Sequence, residues 1–105
     1  MANPVVVVAT FFPRAGQHDA VHAVIAAAQT DVHQEKGCLL YSLHETDDRF
    51  VLIEKWTSAE DLEIHLGTER LGQLVSDLEP LLDSDIEIVQ LQPVAHPTGH
   101  KAAAL

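Results

Sequence analysis

The stretch FVLIEKWTSAEDLEIHL, residues 50–66, concentrates the chain's chemical options. Glu54 stands two residues from Leu52 and two from Trp56. On a strand it shares a face with Phe50, Leu52 and Trp56, because side chains alternate at period two. A carboxylate on an apolar face must be paired or put to use, since burying a bare charge is costly. The partners open to it are His65, a substrate hydroxyl, or an arginine: Arg14, Arg49 or Arg70. His65 lies near Leu62 and Leu66 at helical spacing, an imidazole at the edge of an apolar stripe. Histidine as a residue type suits general-base work or the orienting of a substrate. A hydrogen bond to backbone at the sheet edge would satisfy it equally well. Trp56 offers a flat wall to an aromatic ligand and is also a good core residue; the two roles are compatible.

Other candidates carry less. His44 and Ser42 fall on one face of a strand with Leu40 and Cys38, and Tyr41 falls on the other with Leu39 and Leu43. His44, close to a hairpin end, reads first as exposed and second as a reserve donor. Cys38 reads as a small buried hydrophobe. His18, His22 and His33 return to one helical face. The first two have a spacing that can grip a metal, but no third ligand stands nearby, so a solvated polar face explains them and no metal is expected. His96 and His100 need no role. The sequence has no G-x-G-x-x-G, P-loop, C-x-x-C or H-E-x-x-H pattern, so dinucleotide, nucleoside triphosphate and structural zinc are unsupported.

These residues need elements to hold them. Pro4 to Phe12 predicts a strand through four consecutive valines, broken by Pro13 to Gly16. His18 to Lys36 predicts a helix, with Val21, Val24, Ile25, Ala28 and Val32 on one stripe and Gly37 as its stop. Cys38 to Glu45 and Arg49 to Thr57 predict a hairpin around Thr46–Asp48. Ser58 with Asp61 resembles a capping box, opening a short helix that stops near Gly67. Thr68 caps another, with Leu71, Leu74, Val75 and Leu78, stopped near Pro80. Ser84 to Leu91 predicts a fourth strand, Ile86, Ile88 and Gln90 alternating with Glu87, Val89 and Leu91. The order β-α-β-β-α-β is the ferredoxin-like α+β arrangement, a four-stranded antiparallel sheet with its helices on one face. Residues 1–92 form one domain, and residues 93–105 form a tail expected to be loose unless a partner pins it.

The composition of the 105 residues bounds the partners. Six Lys+Arg against sixteen Asp+Glu give a formal net charge of −10, which disfavours nucleic acid and anionic membranes. No apolar run approaches the ~20 residues of a membrane span. One cysteine cannot form an internal disulfide and suits a reducing cytoplasm. The start MANPVVVVATFF lacks a basic leader pattern, so no signal peptide is expected.

The sheet has a second apolar face. Val6 and Val8 point opposite to Val5 and Val7, and Val51 and Ile53 point opposite to Phe50, Leu52 and Trp56. A sheet with one wet face alternates apolar with polar, and these strands do not. The expectation is a homodimer burying that face against a second copy.

Three segments, FFPRAG, EKGCLLYSLH and FVLIEKWTSAEDLEIHL, taken in order and at family spacing, resemble the antibiotic biosynthesis monooxygenase domain family over residues 5–90. The resemblance implies a dimeric α/β barrel and, in some members, oxygenation of phenols or quinols without metal or flavin. Other members degrade haem, isomerise phosphorylated ketones or have no known activity. The first strand here lacks the Asn of the haem-degrading branch, and LGTERLGQLV after His65 holds no second His. A phosphorylated substrate would want cations, of which only Lys55 and Arg70 stand near. The expected activity is a cofactor-free monooxygenase acting on a small aromatic molecule. His65 is its base or donor, Glu54 the partner of His65, and Trp56, Phe11 and Phe50 its walls, with His44 in reserve. The alternatives are a non-catalytic binding or stress-related barrel, and an isomerase using the same His–Glu pair.

Overall fold

The computed structural model describes residues 3–95 together with Pro97 and Lys101. The first strand, β1 (Val5–Phe11), leads through a turn at Gly16 into α1 (His18–Val32), and β2 (Cys38–Glu45) forms a hairpin with β3 (Phe50–Trp56). Two helices follow, α2 (Ala59–Leu66) and α3 (Glu69–Leu78), then a 3₁₀ turn (Glu79–Leu81) and β4 (Glu87–Leu91). The sheet order is β2-β3-β1-β4 and every neighbouring pair is antiparallel. This is the ferredoxin-like α+β fold. Strands β1 and β2 run parallel with β3 between them, so the end of α1 comes down beside the end of β3.

The register sorts the faces. Val5, Val7, Ala9 and Phe11 oppose Trp56, Glu54, Leu52 and Phe50, and this row meets Val21, Ile25, Ala28 and Val32 of α1 and Leu74 and Leu78 of α3 in one core. Val6, Val8, Val51 and Ile53 face away from the helices, as the double apolar pattern predicts. Leu39, Val89 and Leu91 are exposed, and the last two extend that outer face. No helix among the described residues is long and apolar enough to cross a membrane.

Helix α1 ends at Val32, four residues before the Lys36 expected from its stripe. The chain tightens there into three-residue turns: Gln34 N–H donates to Asp31 O at 3.1 Å and Glu35 N–H to Val32 O at 2.9 Å. Gly37 then reverses the chain at φ +82, a conformation open to glycine, and a Cβ there would run into the Asp61 side chain. Ser58 caps α2 by accepting from Asp61 N–H at 3.1 Å. The capping box is not reciprocal, because the Asp61 carboxylate takes the Thr57 hydroxyl instead. Strand β2 carries a bulge between Cys38 and Leu40. That irregularity brings Cys38 to the helix side, opposite Trp56 and against the core, and leaves Leu39 exposed. Strict alternation had put Cys38 with Leu40, and Leu39 with Tyr41.

Candidate functional site

Glu54 sits in mid-β3 on the helix face, between Leu52 and Trp56, and is 6% exposed. The three arginines open to it as partners are engaged elsewhere. Arg14 donates to Leu82 O, Arg49 pairs with Asp48, and Arg70 with Asp31. Its Oε1 instead accepts the indole N–H of Trp56 at 3.0 Å. Burial pushes the Glu54 carboxyl above its ordinary value; the Trp56 hydrogen bond and nearby His65 pull the other way. The site therefore holds a carboxylate whose basicity is raised, and burial is the cause.

His65 projects from α2 onto this carboxylate and is 1% exposed. Its ring stacks on Trp56 with centroids 4.4 Å apart, and meets the edge of Tyr41 at 5.8 Å. Nε2 lies 3.9 Å from Glu54 Oε1, too long for a hydrogen bond and close enough for one oxygen atom to touch both. Nδ1 lies 2.9 Å from Oε1 of Glu35. The imidazole thus stands between two carboxylates and, among the described residues, makes no bond to backbone. Tyr41, directly across from Glu54 in the register, is buried. Its phenol is held far above its usual range by that burial and then by the charges of Glu54 and Glu35. The Cys38 thiol is raised chiefly by burial, which disfavours a thiolate nucleophile.

Glu54 and His65 line a cavity of about 110 Å³ between the sheet and helices α2 and α3, whose walls include Phe11, Leu52 and Leu74. Its lining holds no Lys or Arg. Gln90 stands on the same sheet row as Glu54, with Val7 between them, and gives the far wall of the cavity an amide. At about 110 Å³ the cavity is smaller than the apolar cavities near 150 Å³ that admit benzene, though of the same order. Leu66, Val75 and Ile88, all exposed, border it where α3 leaves β4 uncovered.

The sequence-derived candidates separate into two groups. Glu54, His65 and Phe11 converge on the cavity. Trp56, at 0% exposure, lies behind His65 and supports the imidazole and the carboxylate. Phe50 shares their face four residues away, ~13 Å along a strand, and stacks under His18 at 4.2 Å. His44 pairs with Val51 on the other face and is exposed. His18 and His22 lie over Phe50, whereas His33 bonds Tyr41 O at 3.1 Å. Among the described residues, no three His, Cys, Asp or Glu are placed to hold a metal ion.

Sequence reasoning passed over Glu35. It lies outside every apolar stripe, in a turn that the periodicity assigned to helix. The available signal was topological: with β1 and β2 parallel around β3, a residue just before Cys38 must land beside Trp56, its register partner.

Residues 4–76 match the family model described as antibiotic biosynthesis monooxygenase. The chain is 31% identical over 96 residues to Rv0793 of Mycobacterium tuberculosis, whose name proposes a monooxygenase; the match covers 90% of this chain and 95% of that protein. The solved structure of Rv0793 superposes with a TM-score of 0.83 at 29% identity, covering 90% of this chain and 99% of that one. The structure of PA3566 from Pseudomonas aeruginosa gives 0.82 at 31% identity, covering 90% and 98%.

Proposed function

Because the chain belongs to the antibiotic biosynthesis monooxygenase family, we propose that it oxygenates a small phenol- or quinol-like molecule with O2, using no metal or flavin. The observation that carries this is the convergence of a buried imidazole and a buried carboxylate on a small, mostly apolar cavity. A substrate hydroxyl set between His65 Nε2 and Glu54 touches both groups. Loss of its proton leaves an electron-rich phenolate that can pass an electron to O2 unaided. Recombination places one oxygen atom on the ring. The other leaves as water, carrying the proton that the base had taken, so that hydroquinone plus O2 yields a hydroxyquinone plus water. The protein supplies the base, the orientation and a site with little water. The absence of cations from the lining disfavours phosphorylated or carboxylated substrates. Among the sequence candidates, Phe11 is the aromatic wall of this pocket and Trp56 the support beneath it.

The proposal includes the dimer. Val8, Val51 and Ile53, half-buried and extended by the exposed Val89 and Leu91, give the sheet an outer apolar face that a second copy would bury. The lone Cys38 suits a reducing compartment, and the cytoplasm is the proposed one. Sedimentation at micromolar concentration should give a dimer; a clean 11.5 kDa species overturns it.

Oxygen uptake with a panel of hydroquinones, in metal-free and flavin-free buffer, tests the reaction. Turnover with single-ring quinols is expected. Ligand-induced thermal stabilisation without oxygen uptake would replace the enzyme with a binding module. Substrate conversion without oxygen uptake would replace it with an isomerase.

A further inference from the structure

We propose that Glu35 is the positioning residue of this site: its carboxylate fixes which nitrogen of His65 is the base and offsets the charge the ring gains when it takes a proton. The inference rests on the reading of His65 as the base. An ionised carboxylate can only accept, so the 2.9 Å contact puts the ring proton on Nδ1. The lone pair is then on Nε2, the nitrogen 3.9 Å from Glu54 on the cavity side. The opposite tautomer would point an N–H at Glu54 and leave no lone pair for the substrate. Stacking on Trp56 and the edge of Tyr41 limits ring rotation, so the hydrogen bond at Nδ1 decides the tautomer.

Burial explains why the residue comes from a turn. The His65 side chain is 2% exposed and that of Glu35 20%, so Glu35 reaches the ring from the side where water still supports its charge. Glu54, with its raised pKa, is less able to remain charged beside the ring. When Nε2 accepts the substrate proton, the imidazolium stands between Glu35 and Glu54. It returns that proton to the oxygen leaving as water, and Nδ1 keeps its own throughout. Glu35 does not touch substrate, and its effect passes through His65. The same logic operates where a carboxylate orients the histidine of a hydrolytic triad.

The test pairs long-range ¹H–¹⁵N NMR of the His65 ring with steady-state kinetics on Glu35→Ala and Glu35→Gln. In the substrate-free native protein the ring should be Nδ1–H, and Glu35→Ala should mix or reverse the tautomers. With a hydroquinone that the native protein oxidises as probe, kcat should fall ~10²-fold in Glu35→Ala and less in Glu35→Gln, which keeps an acceptor, while KM stays within a few-fold. An Nε2–H ring in the native protein, or an Nδ1–H ring unchanged in Glu35→Ala, overturns the inference, as does an unchanged kcat. If Glu35→Ala does not fold, native kcat in Glu35→Gln overturns it alone. The NMR readout needs no turnover. A tautomer set by Glu35 in a protein that oxidises no quinol would sustain the positioning role and sink the reaction.

Discussion

The two ends of β3 carry the same trio in nearly the same geometry and put it to different use. At one end His65 stacks on Trp56, centroids 4.4 Å apart and planes at 28°, with Glu35 at 2.9 Å. At the other, His18 stacks on Phe50, 4.2 Å apart and at 27°, with Glu45 at 2.8 Å. The distances do not distinguish them, although Glu35 meets Nδ1 of its histidine and Glu45 meets Nε2. Burial does: the side chains of the first pair are 2% and 20% exposed, those of the second 31% and 61%. The first histidine also faces a second carboxylate and a cavity; the second faces solvent at the hairpin. An aromatic ring and a carboxylate can hold an imidazole anywhere on this sheet. What the His65 end adds is a cavity lined by a buried carboxylate whose pKa is raised, the setting in which functional sites are found.

The largest expected effect opposes the two histidines directly. His65→Ala should cut turnover of a hydroquinone by ~10²-fold or more, the usual contribution of a general base, with the sheet contacts left in place. His18→Ala should leave turnover within about twofold, since surface changes away from a site are small in effect. Oxygen uptake at saturating quinol reads both. Equal losses in the two variants would break the comparison; an unchanged rate in His65→Ala would remove that residue from the mechanism.

Stability should divide the two ends next. Trp56→Phe keeps the ring against His65 but deletes the donor to Glu54 Oε1. A buried acceptor left unpaired costs about 1–3 kcal/mol, read as a loss in urea unfolding, and raises the Glu54 pKa further. At the other end Phe50 holds no such donor, and Phe50→Leu should lose packing alone, with no change in how stability varies with pH.

That pH dependence has a definite sign. Burial raises the Glu54 pKa above its ordinary 4.5, so between the two values the folded chain holds a proton that the unfolded chain has lost. The stabilising contribution of this group is full below its ordinary pKa and disappears as pH climbs through its raised one. Glu54→Gln cannot ionise, so relative to the native protein it should gain stability from pH 4 to 8. Melting curves across that range measure the difference. A difference constant with pH would mean that Glu54 is not desolvated as the fold implies.

The sequence showed the sheet and its partition of residues because both depend on short-range patterns. Val5 to Val8 are a β-branched run, strand geometry puts Phe50, Leu52, Glu54 and Trp56 on one face, and Val21, Ile25, Ala28 and Val32 form the helical stripe, so Glu54 and Trp56 could be placed on one face and His65 on the helix above them. Two features fell outside those patterns. The bulge after Cys38 adds a residue that no periodicity announces, turns Cys38 to the helix face and leaves Leu39 exposed. Glu35 reaches His65 across thirty positions, a contact set by how α1 descends beside β3. Phe50 illustrates the converse: face alone had grouped it with Glu54, and distance along the strand separates them.

The smallest predicted effect sharpens the comparison from its exposed side. His18 makes a short hydrogen bond to the carboxylate of Glu45, yet water reaches both partners. Such pairs are worth ~0.2–1 kcal/mol and weaken with salt. Removing the charge with Glu45→Gln should therefore cost no more than that in urea unfolding at low ionic strength and nothing measurable in 1 M NaCl. Glu35→Gln, which breaks a contact of nearly equal length, should keep most of its cost in salt because the imidazole it serves is buried. Salt response separates the two pairs where distance cannot. Equal sensitivity would mean that water reaches His65 as readily as His18, and the imidazole could not then act from a dry pocket.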